Sequence, residues 1–217
     1  MTKMEKNSEI KIVDGIIPKL IKVDTLEQRN DMVWKLFMEI SNTDDYDDVD
    51  QDNYLQKNLD LFNRVMDEGD ERLNLFTNDY FCLSQESKFL DFFKRVFELN
   101  NKQCIINLGE YSKREELVEY LYYKLKNLDE LDTVILLGQV DVLSQRGAGL
   151  YKIENVELLK TFIKLGLRIG SGGLVYFEKI PLLVESAFDM RFILTLNDKE
   201  GLEQYRAVAE SEQLHLL

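Results

Sequence analysis

The sequence predicts an α/β or α+β fold: a mixed sheet of about five strands built around a βαβ unit in residues 102–197, with helices packed on it and an acidic helical N-terminal layer. Three observations carry that prediction. The run Val134-Ile135-Leu136-Leu137, opened by Asp132-Thr133 and closed by Gly138, has the continuous apolar character of a strand buried on both faces. Ahead of it lie a strand-like segment at 102–108 and a helix opened by Ser112-Lys113-Arg114-Glu115, which has capping-box spacing. Strand, capped helix and strand with short joins read as βαβ, right-handed if the strands are parallel. Finally, residues 24–100 carry apolar stripes at helical spacing together with most of the acidic excess.

Taken in order, Asp14-Gly15 between the apolar runs of residues 9–23 signals a hairpin turn, with Pro18 confining the second arm to an edge. The same residues also fit the lead-in to a helix. Thr25 with Gln28, or Asp24 with Glu27, caps a helix whose stripe is Val33, Leu36, Phe37 and Ile40, flanked by Trp34 and Met38. A second helix is expected over residues 51–66 from Leu55, Leu59, Phe62 and Met66. A third, capped by Ser84, carries Phe89, Leu90, Phe93, Val96 and Phe97.

Beyond residue 100, Cys104 falls in the 102–108 strand, and the helix after Ser112 carries Leu117, Val118, Leu121, Tyr122 and Leu125. Residues 149–153 read as a strand. Asn155 caps a helix bearing Leu158, Leu159, Phe162 and Ile163, for which Gly166 supplies the stop. Leu167-Arg168-Ile169 reads as a short strand, and residues 170–173 turn the chain into another at 174–180. In residues 190–196, Met190, Phe192, Leu194 and Leu196 alternate with Arg191, Ile193 and Thr195, as in a half-exposed strand with antiparallel pairing. A turn at 185–189 closes the hairpin before it. Asn197 with Glu200 caps a last helix bearing Leu202, Tyr205 and Val208.

A chain of 217 residues with 45% hydrophobic and 11% aromatic content, two prolines and eleven glycines has the composition of a folded domain. A single domain is expected over 1–217, with 24–100 mainly helical and 102–217 carrying the sheet. The net charge is −13; residues 1–100 hold 13 basic against 22 acidic groups, the remainder 14 against 18. Such a field repels nucleic acid and anionic membrane and favours a basic protein partner. No run of Lys or Arg offsets it. The first residues lack the apolar core of a signal peptide, and no apolar run approaches a membrane span. Two cysteines, Cys82 and Cys104, are too few for a disulfide framework, so a cytoplasmic setting is expected.

The most unusual local composition is the aspartate loop containing Asp44, Asp45, Tyr46, Asp47, Asp48, Asp50 and Asp52. Asp48, Asp50 and Asp52 match the first three ligands of a calcium loop. The sixth position is Asn53 rather than Gly and the twelfth is Leu59 rather than Glu, so that pattern fails. Asp44, Asp45 and Asp48 also match D-D-x-x-D, which can hold magnesium, but no second metal motif accompanies it. Clustered carboxylates that steer a cationic protein, or a plain solvated loop, account for the composition without metal. The Gly-Ser-Gly-Gly segment at 170–173 lacks the spacing and the Lys-Ser/Thr of a phosphate loop and reads as a turn. Arg146, in the loop 144–149, could meet a carboxylate or phosphate at the strand ends. Glu185, Asp189 and Arg191 could form a charged cluster at a sheet end. His215 is the sole histidine, which leaves no catalytic triad and no zinc spacing, and no cofactor is expected.

These features favour a non-enzymatic acidic binding protein, in the manner of a bacterial immunity or inhibitor protein that neutralises a basic toxin or nuclease. One alternative is a small enzyme or ligand-binding domain with a pocket at the strand ends near Arg146. Another is a regulatory or scaffold subunit anchored through aromatic residues such as Tyr46 and Tyr54.

Overall fold

The computed structural model describes residues 17–23, 31–42, 54–67, 69–109, 114–145 and 149–217. In chain order its elements are β1 (Ile21–Lys22), α1 (Met32–Asn42), β2 (Leu55–Asp60), a 3-10 turn (Glu71–Thr77), α2 (Asp79–Leu99), β3 (Cys104–Asn107), α3 (Arg114–Leu125) and α4 (Glu130–Leu137). Then follow α5 (Val140–Leu143), β4 (Leu150–Ile153), α6 (Val156–Ile169), β5 (Leu174–Phe177), β6 (Leu182–Ala187), β7 (Arg191–Leu196), α7 (Lys199–Ser211) and β8 (His215–Leu216). One sheet takes all eight strands, in the order β1-β4-β3-β5-β6-β7-β2-β8. Every pairing among them is antiparallel.

Strand periodicity divides the sheet between two cores. Cys104 and Ile106, Val175 and Phe177, and Leu182 and Val184 face a large cluster built by α2, α3, α4, α6 and α7. Their neighbours Ile105, Tyr176 and Leu183 face the opposite side, where Val33, Trp34, Leu36 and Phe37 of α1 cover them. Trp34, Phe37 and Tyr176 pack ring on ring there, with centroids 5.1–5.6 Å apart. In the larger core Phe192 of β7 meets Phe93 at 4.8 Å and Phe89 at 6.0 Å. Both outermost strands are two residues long, which leaves little open edge for another chain to pair with. At the β8 edge, Asn58 and Leu217 exchange two backbone hydrogen bonds of 3.1 and 2.9 Å.

The helices α1, α2, α3, α6 and α7 and the strands β3, β4, β5 and β7 fall where periodicity puts them. Asn155 caps α6, accepting from the backbone N–H of Glu157 and Leu158. Several expectations are corrected. Residues 134–137 are the second half of α4, not a strand. Only Ile135 and Leu136 are buried, whereas Val134 is 41% and Leu137 47% exposed, as a half-buried helix requires. The helix begins where the Asp129 carboxylate accepts from Asp132 N at 3.1 Å. With that strand gone, and with β3 antiparallel to β4, there is no βαβ unit. Among the described residues the strand count is eight rather than about five: β3 to β7 come from residues 102–197, and β1, β2 and β8 join from outside.

Residues 55–60 form a strand, not a helix. Leu55 and Leu59 are four apart, which satisfies a period of two as well as one of 3.6, and pairing with β7 over five residues decides between them. Of the described residues before 100, β1 and β2 are woven into the sheet, while α1 and α2 pack on its two faces. Three helix limits also move. Asn78, not Ser84, caps α2; Asp198, not Asn197, caps α7; and α6 runs through Gly166 to a left-handed Gly170 (φ 62°), which absorbs the short strand expected at 167–169. Residues 9–16, the caps at Asp24 and Thr25, and Ser112 lie outside the described residues.

One polar knot ties the C-terminal cap of α2 and the middle of α7 to the β5–β6 turn. Asn100, 1% exposed, donates to Val96 O (2.9 Å) and to the Tyr205 hydroxyl (3.0 Å) and accepts from Ile180 N (2.9 Å). The Tyr205 hydroxyl in turn donates to Ile180 O at 2.6 Å. Truncating Asn100 leaves buried partners unsatisfied at about 1–3 kcal/mol each. We therefore expect Asn100→Ala to lose roughly 2–4 kcal/mol in urea unfolding without a change in m value; a loss below about 0.5 kcal/mol would show that the knot contributes nothing net.

Candidate functional site

Both sites singled out from the sequence, the aspartates and Tyr46 of residues 44–52 and Arg146, lie outside the described residues. Gly149, the first described residue after Arg146, is seated on the backbone of Gly109: a Cβ at Gly149 would stand 2.4 Å from Gly109 C and O. Gly109 itself lines a cleft at the ends of β3, β5 and β6, whereas the pocket expected near Arg146 was placed beyond a 134–137 strand that is α4 in the structure. Tyr54, proposed as an anchor, donates its hydroxyl to Met32 O at 3.1 Å. His215 lies in β8, paired in register with Asp60. Glu185 and Asp189 do not form one cluster, because they line different depressions. Arg191 lines neither, and its Nε is buried without a hydrogen-bond partner among the described residues.

The strand-end cleft, about 380 Å³, opens between the C-terminal end of α1, the ends of β3, β5 and β6, and α3. Its one cation among the described residues is Lys124, which is 3% exposed. Helical spacing explains that burial, since Leu117, Leu121 and Lys124 fall on one face at i, i+4 and i+7. The expected stripe through Val118 and Tyr122 is instead turned outward, at 56% and 64% exposure. Lys124 Nζ donates to the carbonyl and the hydroxyl of Ser171 and lies 5.1 Å from the centroid of the Tyr120 ring. Burial pulls the ammonium down to about 8. A lysine at the i+7 position behind two core leucines was the readable signal for this site.

The Gly-rich segment 170–173 supplies the other wall. Gly170 N and Ser171 N are spent on Gly166 O (3.0 Å) and Leu165 O (3.4 Å) of α6, so those two amides form no anion cradle. The segment serves to bring Ser171 onto Lys124. Ser41 Oγ, on the α1 wall, is buried with no hydrogen-bond partner among the described residues.

A second depression, a groove of about 670 Å³, runs between α2, the α3–α4 connection, the end of α6 and the β6–β7 turn. Leu83 and Leu128 give it apolar surface, with the buried Leu167 and Met190 beneath. Four carboxylates, Asp79, Glu86, Asp129 and Asp189, stand against two cations, Lys126 and Arg168. Arg168 grips Glu86 with two hydrogen bonds of 2.7 and 2.8 Å and donates to Asn127 O at 2.8 Å. Asp129 shares Lys164 with the buried Asp132, and Asp132 also accepts from Thr161 at 2.6 Å. Hydrogen bonds from Lys164 and from the Asp132 amide favour the charged Asp129; desolvation raises Asp132 instead. Cys82 also lines the groove, its thiol pushed up by burial and by nearby Asp79.

Among the described residues no group of three or more His, Cys, Asp or Glu side chains is placed to hold a metal ion. None of the helices described is long and apolar enough to cross a membrane. Comparison with protein-family models, with curated proteins and with solved structures finds no match to this chain.

The Lys124 ammonium makes stability depend on pH with a definite sign. Its folded value lies below the ordinary lysine value of 10.5, so the unfolded chain binds more protons between about 8 and 10.5. The cost of burying the charge is fully present below about 8 and disappears as pH rises through that window. In urea unfolding at pH 7.5 and 10, we expect the stability difference between wild type and Lys124→Met to shift toward wild type at the higher pH. A difference that does not change would show that the amine is solvated.

Proposed function

We propose that the chain is a non-enzymatic acidic binding protein of the immunity or inhibitor class, which neutralises a basic partner such as a toxin or nuclease. The observation that carries this reading is the groove, where the exposed Leu83 lies among the carboxylates Asp79, Asp129 and Asp189, over a floor of the buried Leu167 and Met190. Apolar side chains supply the buried centre an interface needs, and a ring of carboxylates selects and orients a cationic partner. Large exposed side chains flank it: Leu83 is 57% exposed, and Phe188, next to Asp189 in the β6–β7 turn, is 82% exposed. The net charge of −13 extends the attraction beyond contact range, which raises association rates at low salt. Residues 44–52 add five aspartates in residues 44–50 alone to that field.

The test is capture on the immobilised chain from its native host at low and high salt, followed by kinetics with the purified partner. A basic protein released by salt is expected. Asp79→Asn with Asp189→Asn should slow association severalfold and flatten its salt dependence, while Leu83→Ser should speed dissociation about tenfold. A partner of neutral or acidic charge would remove the proposal. If binding is lost with Asp44, Asp45, Asp47 and Asp48 all changed to Asn, yet kept in the groove variants, the docking surface moves from the groove to that loop.

A further inference from the structure

We propose that the strand-end cleft is a binding site for a small organic carboxylate, with Lys124 as its counter-ion. The inference goes beyond partner binding, because the cleft and the groove share no lining residue. It starts from a buried cation with no carboxylate within hydrogen-bonding distance among the described residues. Buried cations are ordinarily matched by a carboxylate or another anion, as Arg168 is by Glu86 and Lys164 by Asp129 and Asp132 in this same protein. Lys124 is as deeply buried as any of them, yet the oxygens it meets, Ser171 O and Oγ, are neutral. Two of its three N–H donors are accounted for by these oxygens. The amine borders a cavity of about 380 Å³, large enough for a small metabolite and not only for water.

The chemistry of the walls narrows the ligand. Ser41 Oγ, buried and without a partner among the described residues, offers a hydroxyl donor from the α1 side. Ile40, Leu108 and Leu174 supply apolar surface for a short hydrocarbon portion. A phosphate dianion fits less well. The amides of Gly170 and Ser171 are already bonded to α6, so they offer no cradle for a second negative charge, and among the described lining residues Lys124 is the one cation while Glu185 on the β6 wall disfavours a dianion. A single negative charge with a compact apolar tail matches one ammonium, one hydroxyl and a partly apolar wall. Among the described residues, Glu185 on β6 and Tyr120 on α3 are the other titratable groups lining the cleft; Ile40 and Ser41 of α1, Asn107 of β3 and Leu174 of β5 contribute none.

The experiment titrates the full chain with butyrate, pyruvate and, as controls, butyramide and inorganic phosphate, followed by calorimetry and by amide NMR shifts. Butyrate or pyruvate should bind at millimolar concentration or better, with shifts centred on Ser171, Leu174 and Ser186, while uncharged butyramide should not. Lys124→Met should weaken carboxylate binding at least about tenfold, the worth of one charge-assisted hydrogen bond. Affinity should fall as pH rises from 7 to 9 and the ammonium is lost. Should Lys124→Met fail to fold, Ser41→Leu serves instead: it leaves the amine in place, fills the cleft and should abolish the cleft shifts. Carboxylate binding equal in wild type and Lys124→Met, no cleft shifts with any carboxylate, or phosphate binding tighter than butyrate would each overturn the proposal.

Discussion

The rest of the structure depends on how closely α6 lies on the sheet. At Gly166 there is no side chain between helix and strand: a Cβ there would stand 3.0 Å from the Phe192 ring and 3.1 Å from Ser186 Cβ. Phe192 fills the space thus opened and carries the rings of Phe89 and Phe93 on its other sides. The turn that follows is held as tightly, since a Cβ on Gly172 would meet Phe162 O at 2.4 Å. A bulkier residue at either glycine would push α6 away and lose contacts across the main core, where misfits cost on the order of 1–3 kcal/mol. This approach fixes both depressions at once. Arg168, near the end of the helix, reaches the groove, and Ser171, just beyond it, reaches Lys124.

Among the described residues, two partly buried cations of α6 are matched by carboxylates, whereas the fully buried Lys124 is not. Arg168 and Lys164 each have carboxylates within hydrogen-bonding distance, and α4 and α2 supply them from separate parts of the chain. Such pairs stabilise less than their contact distances suggest, because desolvation offsets much of the attraction. Their larger effect is on register: removing one partner strands the other, so α2, α4 and α6 have one favourable arrangement. Lys124 departs from that pattern, and it does so at a cavity.

The sequence was informative where a local signal and the tertiary outcome agree. Asn155, with Leu158, Leu159 and Phe162 behind it, specifies α6, and the alternation of Met190 to Leu196 specifies β7. It misled where one pattern satisfies two periods. Leu55 and Leu59 fit helix and strand alike, and the partner that decides, β7, lies more than 130 residues away. Val134 to Leu137 read as a buried strand because composition does not reveal that alternate pairs face solvent; the Asp129–Asp132 cap was the competing local signal. Antiparallel pairing of β3 with β4 across three intervening helices has no local signature at all. The cleft was half legible. A pocket at strand ends was expected, but beside a strand at 134–137 that is a helix, and the cleft's cation among the described residues is Lys124 on a helix face, where a lysine ordinarily reads as solvated.

The two cysteines sit at opposite extremes of this architecture. Cys104 is 3% exposed in β3, a strand flanked by β4 and β5, and burial holds its thiol firmly protonated. Cys82 lines the open groove and makes only a long 3.5 Å contact to Phe76 O. Because only the thiolate reacts readily, alkylation of Cys104 must wait until the sheet parts, whereas Cys82 responds to smaller movements of α2. The native chain thus contains two chemical clocks, one timing global opening and the other timing breathing at the groove.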